Sequence, residues 1–162
     1  MTSQITLKKY QLEDFEVYKQ LVSDDEVMHY ISGKGLSERE AKEKFHSILI
    51  INNQEVELGT FKVLNAENLF IGDCKLERYK HNNALLEIGY ILKRDYWQMG
   101  YGTIICEKLL QLAKEFDPKL QVIGIIDPEN IASRKLLEKF GFKSYFIGIE
   151  DDLPTEKLIL TV

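Results

Sequence analysis

Apolar positions along the chain change period several times, and each change marks an element. Ile5 and Leu7 alternate with polar neighbours and predict a first short strand. From Glu13 to Val22, Phe15, Tyr18, Leu21 and Val22 fall at helical spacing behind an acidic start. Ser23-Asp24-Asp25 breaks that pattern, and Ser32-Gly33-Lys34-Gly35 reads as a loop. Ser37, with Glu40 three residues on, is a capping box that opens a helix to about Asn52, with Ala41, Phe45, Ile48 and Leu49 inward. The period then drops to two. Residues 59–64, 69–78 and 85–93 predict strands, with turns at Asn65-Ala66-Glu67-Asn68 and His81-Asn82-Asn83, which makes an antiparallel meander. Residues 100–116 return to helical spacing through Ile104, Ile105, Leu109, Leu112, Ala113 and Phe116. Residues 120–126 predict a buried strand. Residues 129–140 predict a helix with Ala132, Leu136, Leu137 and Phe140 inward, and Gly141 stands where a helix C-cap belongs. Residues 142–149 and 157–162 are the closing strands.

This order is that of an α+β fold: a mixed, mostly antiparallel sheet with helices on both faces. It is not the βαβαβ repeat of a doubly wound nucleotide fold. Neither a repeat nor a Pro/Ser-rich linker suggests a second domain, so residues 1–162 read as one.

Composition narrows the class. At 162 residues, 44% hydrophobic and 29% charged, the chain can bury a sizeable core without a metal or disulfide staple. Its apolar runs, such as Ile48-Leu49-Ile50-Ile51, fall far short of the roughly 20 residues a membrane span needs. The net charge of −5 disfavours a nucleic-acid binder, and the first residues carry no leader pattern, so a cytoplasmic protein is expected. Cys74 and Cys106 sit in apolar segments and read as buried, reduced thiols. Neither they nor His29, His46 and His81 show metal-ligand spacing, so no metal is expected.

The chemistry concentrates between Glu87 and Thr103. There a strand enters a short loop, Trp97-Gln98-Met99-Gly100-Tyr101-Gly102, which opens a helix. Glycine lets backbone approach a ligand, and a helix start offers unpaired N–H groups and partial positive charge, so the segment can hold a phosphate. A Rossmann fingerprint would want a glycine where Ile105 stands, and a Walker loop would want Gly-Lys-Ser/Thr where the helix opens with Gly-Thr. Gly89, in mid-strand, is expected to form a bulge or a close approach that splays this strand from residues 120–126. The opened backbone then needs an extended, amide-bearing ligand. Pyrophosphate on the loop and pantetheine along the strand describe coenzyme A.

Three segments, in order, carry a family resemblance. Gly100 and Gly102 match the glycines of the Arg/Gln-x-x-Gly-x-Gly/Ala loop of the GNAT superfamily of acyl-CoA-dependent N-acetyltransferases, with Trp97 in place of the first Arg or Gln. Residues 127–142 look like its Asn-x-x-Ser-x-x-x-Leu-Glu-Lys-x-Gly-Phe segment. Residues 23–31 are similar to the Asp-x-Glu-Val-Met-x-Tyr stretch of its RimJ/RimL-like branch. The resemblance implies acetyl-CoA as co-substrate. It implies coenzyme contacts from Ile91, Leu92 and Lys93 and from Gln98, Met99, Gly100, Tyr101, Gly102 and Thr103, with Asn130 holding the pantetheine arm. The family's common tyrosine acid is replaced by Leu137, and Ser133 matches a serine suggested instead.

Glu87 lies in an otherwise apolar strand, where desolvation would favour a general base, although pairing with Lys75 or Arg78 is the alternative. Met28, His29 and Tyr30 are candidates for the acceptor mouth. The pairs Lys93-Arg94 and Arg134-Lys135 could meet the 3′-phosphate of the coenzyme. The expected activity is transfer of an acetyl group from acetyl-CoA to a primary amine by direct attack in a ternary complex. The acceptor would be a protein N-terminus, a polyamine or a small-molecule amine, and no nucleic-acid or membrane partner is expected. The acidic balance faintly favours a cationic acceptor. A catalytically silent acyl-CoA-binding module and a nucleotide-binding oxidoreductase are the rival readings. The sequence says nothing of oligomeric state.

Overall fold

A computed structural model of the protein describes residues 4–161. The leader reading falls partly on Met1, Thr2 and Ser3, and the last predicted strand reaches Val162; these four residues lie outside the described ones. Strands β1 (Thr6–Lys9), β2 (Gly59–Leu64), β3 (Phe70–Tyr79), β4 (Asn82–Leu92), β5 (Gln121–Ile126), β6 (Lys143–Glu150) and β7 (Leu153–Leu160) form one sheet in the order β1-β2-β3-β4-β5-β7-β6. Every neighbouring pair is antiparallel except β4 and β5. The helices are α1 (Phe15–Val22), α2 (Glu38–Gln54), α3 (Tyr101–Phe116) and α4 (Ile131–Lys139).

Two apolar clusters, one on each face, hold the helices. Leu86, Ile88 and Leu92 of β4 alternate onto the face that buries Ile105, Cys106, Leu109 and Ala113 of α3 and Leu137 of α4. On the other face Tyr10, Tyr18, Leu21, Ala41, Phe45 and Ile48 pack α1 and α2, and Ile91 and Phe70 of the sheet join them. Both predicted helix signals act as the sequence implies. Ser37 accepts from the Glu40 N–H while Glu40 accepts from the Ser37 N–H. Gly141, at φ +97°, closes α4 through Gly141 N–H to Glu138 O and Phe142 N–H to Leu137 O.

Some expectations are corrected. The β3–β4 turn is shorter than His81-Asn82-Asn83, because Asn82 already pairs with Tyr79. The last strand begins at Leu153, not Lys157: Asp151 and Asp152 both take positive φ and make a two-residue hairpin turn. Pro154 is tolerated there because β5 reaches only as far as Glu156 on that side. Ala132 is exposed, since α4 packs inward through Leu137, against Gly124 of β5, and Leu136, against Gly102 of α3.

Candidate active site

β4 lies along β3 from end to end, but it pairs with β5 only from Leu85↔Gln121 to Ile88↔Gly124. Beyond that point β5 follows β7 through Ile125 and Ile126, and Gly89–Leu92 stay with β3. The expected splay is present, and it leaves a row of β4 backbone groups facing a gap rather than a strand. The expected bulge is absent. Gly89 is not bulged; it pairs in register with Lys75, and a Cβ there would stand 3.3 Å from Lys75 Cε. Gly89 therefore serves a close approach. Gly124, the last residue paired to β4, lets α4 close on β5: a Cβ there would stand 2.7 Å from Leu137 Cδ1.

The open edge of β4 leads into the loop before α3. Trp97 folds back and its indole Nε1–H donates to Leu92 O at 2.9 Å, which anchors the loop to the strand. Gln98 and Gly100 adopt left-handed φ values of +59° and +87°. No side chain caps α3. Among the described residues the N–H groups of Gln98, Met99 and Gly100 donate to no other part of the chain. With the free first-turn N–H groups of Tyr101, Gly102 and Thr103, these line a concentration of positive potential suited to a phosphate. A Cβ on Gly100 would meet nothing within 4 Å, so that glycine serves the backbone turn. A Cβ on Gly102 would stand 2.8 Å from the Tyr90 hydroxyl oxygen and 3.3 Å from Leu136 Cδ2, so that glycine serves packing.

The basic pairs are partly committed elsewhere. Arg94 binds Asp24 at 2.9 Å and Glu26 at 3.1 Å, tying the loop to the segment after α1. Arg134 donates to the buried Glu156 at 2.7 Å and to Pro128 O at 2.7 Å. Burial works against the Glu156 carboxylate, but Arg134 and Ser144 outweigh it and hold its pKa below the ordinary range. Lys93 and Lys135 remain to meet a phosphate; Lys93 Nζ stands 5.9 Å from the Phe70 ring centre.

Glu87 points to the α1/α2 face of the sheet, one residue before the end of the β4/β5 ladder. Its side chain is only 13% exposed, and Lys75 Nζ stands 2.9 Å from its Oε2 and 3.4 Å from Glu77 Oε1. The pairing alternative thus holds: Glu87 is a carboxylate with an ammonium on it, not an isolated acid in an apolar strand. Burial pulls the Lys75 ammonium down, yet Glu87 and Glu77 outweigh it and hold its pKa above the usual lysine value.

At the opposite wall, Asn130 Oδ1 accepts from the Ser133 N–H at 3.2 Å and caps α4. The Tyr90 hydroxyl, which sequence reasoning missed, lies beside Gly102 at the start of α3 and near Ser133 at the start of α4. Leu137, at the position of the family's usual tyrosine, is buried in the core. Of the acceptor-mouth candidates, Met28 is corrected. It is buried among the α1/α2 cluster, while His29 and Tyr30 are exposed and stack edge-to-face at 4.7 Å. Cys74 and Cys106 are free and buried; burial pushes the Cys106 thiol up to about 12 and Cys74 well above its ordinary value, so neither supplies a thiolate nucleophile. Among the described residues no group of three His, Cys, Asp or Glu could hold a metal ion, and no helix is long and apolar enough to cross a membrane.

A family model described as an acetyltransferase (GNAT) domain matches residues 4–143. An uncharacterized N-acetyltransferase, p20, from Bacillus licheniformis is 29% identical over 145 residues, covering 88% of this chain and 80% of its own. The fold matches that of spermidine N-acetyltransferase from Vibrio cholerae, solved with CoA and spermine. That match has a TM-score of 0.77 and 17% identity over 97% of this chain and 95% of the other. It also matches that of a putative ribosomal-protein-serine acetyltransferase from Vibrio cholerae, with a TM-score of 0.71 and 18% identity over 98% and 93% of the two chains. With splayed strands β4 and β5, a glycine loop opening α3, and a family match over most of its length, the chain belongs to the GNAT acetyltransferase family.

Proposed function

We propose that this protein transfers the acetyl group of acetyl-CoA to a primary amine by direct attack in a ternary complex. The observation that carries the reading is the continuity of two unsatisfied backbone surfaces. The unpaired edge of Gly89–Leu92 runs into the free N–H groups of Gln98–Thr103. An extended amide chain ending in a pyrophosphate satisfies both at once. Ile91, Leu92 and Lys93 would pair with the pantetheine arm, and the loop would hold the phosphates. The reacting carbonyl would then lie at the closed end of the gap, beside Ile88 and Gly124. Solved relatives of the same fold include proteins whose structures hold CoA.

Glu87 reaches that closed end from the α1/α2 face. A protonated amine arriving there meets a carboxylate, and Lys75 can fall back onto Glu77, which it already approaches at 3.4 Å. Glu87 thus orients the amine and accepts its proton as the N–C bond forms. The acceptor class follows the family: a protein N-terminus, a polyamine or a small-molecule amine. The structures of similar fold carry names from both ends of that range, spermidine and ribosomal-protein serine. Asp24, Glu26, His29 and Tyr30 place a polar rim between α1 and α2 where an acceptor would enter. The branch that acts on protein N-termini is favoured by the Trp97 loop and the residue 23–31 segment.

Titration calorimetry with coenzyme A, followed by mass spectrometry of an amine and peptide panel incubated with acetyl-CoA, tests the proposal. Binding together with a +42 Da product supports it (an estimate from the mass of an acetyl group, about 42 Da). Binding without transfer to any amine replaces it with a silent acyl-CoA-binding module, and binding of NAD without coenzyme A overturns it.

A further inference from the structure

The sheet ends in two edge strands of opposite character. β1 is four residues long and carries Lys8 and Lys9, which discourage a further strand from pairing there. β6 is eight residues long and, among the described residues, pairs on one side only, with β7. Its inner residues, Ser144-Tyr145-Phe146-Ile147-Gly148-Ile149, hold no charge. Tyr145, Phe146, Ile147 and Ile149 are all exposed, and Leu153 across the hairpin turn joins them. Ile147 and Ile149, 65% and 68% exposed, share a face with Glu156 of β7. α4 reaches that face through Arg134 on Glu156 and leaves both isoleucines uncovered. On the other face the Phe146 ring lies along the strand, since a Cβ on Gly148 would come within 2.9 Å of its Cζ. An edge that is long, uncharged and apolar on its outer positions is what folded proteins ordinarily avoid unless something pairs with it.

We propose that β6 pairs antiparallel with β6 of a second copy of this chain, about a two-fold axis at Gly148. The register of β6 slips at Tyr145, so the regular stretch open to a partner is Phe146–Glu150. That stretch is self-complementary about its central glycine. Laid against itself, it sets Ile147 opposite the second copy's Ile149 and Ile149 opposite the second copy's Ile147, with the two glycines between them. Glu150 then falls opposite the second copy's Phe146. Lys157 neutralises Glu150 within its own chain at 2.7 Å, so no like charges meet. The pairing satisfies the outward backbone groups of both edges and covers the isoleucines. The apolar side chains exposed from Tyr145 to Leu153 amount to about 500 Å² per copy, so two copies together reach the roughly 1,000 Å² of a specific, modest interface. Both copies use the same edge, so the assembly closes at two, and the lysine-bearing β1 edges stay outside.

Sedimentation velocity on the intact chain, between about 1 and 200 µM, tests the pairing. The wild type should pass from monomer to dimer within that range. Ile147→Lys and Ile149→Glu should each weaken association about tenfold or more, because each sets a charge against an isoleucine. Both replace exposed side chains, and circular dichroism should show both folded. An equimolar mixture of the two variants should recover the dimer, because the new lysine of one chain then faces the new glutamate of the other. A wild type that stays monomeric throughout overturns the inference. So does a dimer that survives Ile147→Lys with unchanged affinity, which would place the interface elsewhere. A mixture no more associated than its components would rule out antiparallel pairing about Gly148, and growth beyond the dimer would rule out closure by a two-fold axis. None of these outcomes depends on the coenzyme or the acceptor.

Discussion

Glu87 shows how much a single residue's surroundings decide. Alone in an apolar strand it reads as a raised, base-like carboxyl; in the fold it shares Lys75 with Glu77. On the proposed reaction, an amine acceptor would displace an ammonium that is already there. Glu87→Gln should keep coenzyme affinity and lower turnover about 10²-fold or more, with an altered pH–rate profile. A modest, pH-independent loss would mark Glu87 as an amine ligand only. Lys75→Met should cost about 3 kcal/mol or more in urea titration, because it leaves the 13% exposed Glu87 directly across from Glu77 with no counter-charge. The pairing of Glu87 with Lys75 was legible as an alternative, since adjacent strands were predicted in the right order. The packing of the Tyr90 hydroxyl against Gly102 was not legible, because it joins β4 to the first turn of α3 across the loop and no local period announces the contact. The one available signal was parity: Tyr90 alternates with Leu86, Ile88 and Leu92, so a hydroxyl falls on an apolar face.

Among the elements, the β4–α3 junction concentrates the backbone's unusual demands. Gly100 is held at φ +87° with open space where a side chain would point, and that space is the one a phosphate would need. Gly100→Val should therefore fold with a loss of about 1–2 kcal/mol from left-handed strain, and calorimetry should show at least a tenfold weaker affinity for coenzyme A. Unchanged affinity in the folded variant would place the phosphate elsewhere. Gly102→Ala should act differently. It meets the Tyr90 hydroxyl and Leu136 rather than open space, so its loss, about 1–3 kcal/mol, comes from overpacking. The capping box of α2, the Gly141 stop of α4 and the meander were legible because each rests on residues close in sequence. The start of β7 was hidden by Asp151-Asp152 and Pro154, which look like a longer loop until two positive φ values make them a tight turn. The packing of α4 on Gly124, at the end of the β4/β5 ladder, was hidden too, because it is a contact between separate elements.

At the scale of the whole molecule, one buried acid of the sheet pairs with no base among the described residues. Asp73 of β3 lies beneath α1 and α2, 5% exposed, and accepts a hydrogen bond of 2.7 Å from the Tyr10 hydroxyl. Burial raises its pKa to about 7, with the Tyr10 hydrogen bond and the distant Lys75 and Lys44 pulling the other way. In the unfolded chain the same group titrates near the ordinary aspartate value, about 3.9. Between those two values the folded protein holds a proton that the unfolded chain has released, so stability falls as pH rises through the window and levels off above about 7. A shift of this size corresponds to something on the order of 4 kcal/mol. The oppositely shifted acids act elsewhere. Asp24 is disfavoured by burial but held low overall by the Val27 N–H and Arg94, and its contribution is lost only below about pH 4. Wild-type protein should therefore be most stable at mildly acidic pH and lose ground toward neutrality, measured by urea unfolding at several pH values. Asp73→Asn keeps an acceptor for Tyr10 but cannot titrate. Its stability should be nearly flat between about pH 5 and pH 7, where the wild-type curve declines. A wild-type curve that rises across that interval, or an Asp73→Asn curve with the same slope, would show that Asp73 is ionised in the folded protein at acidic pH, and that the α1/α2 face is wetter than the structure makes it.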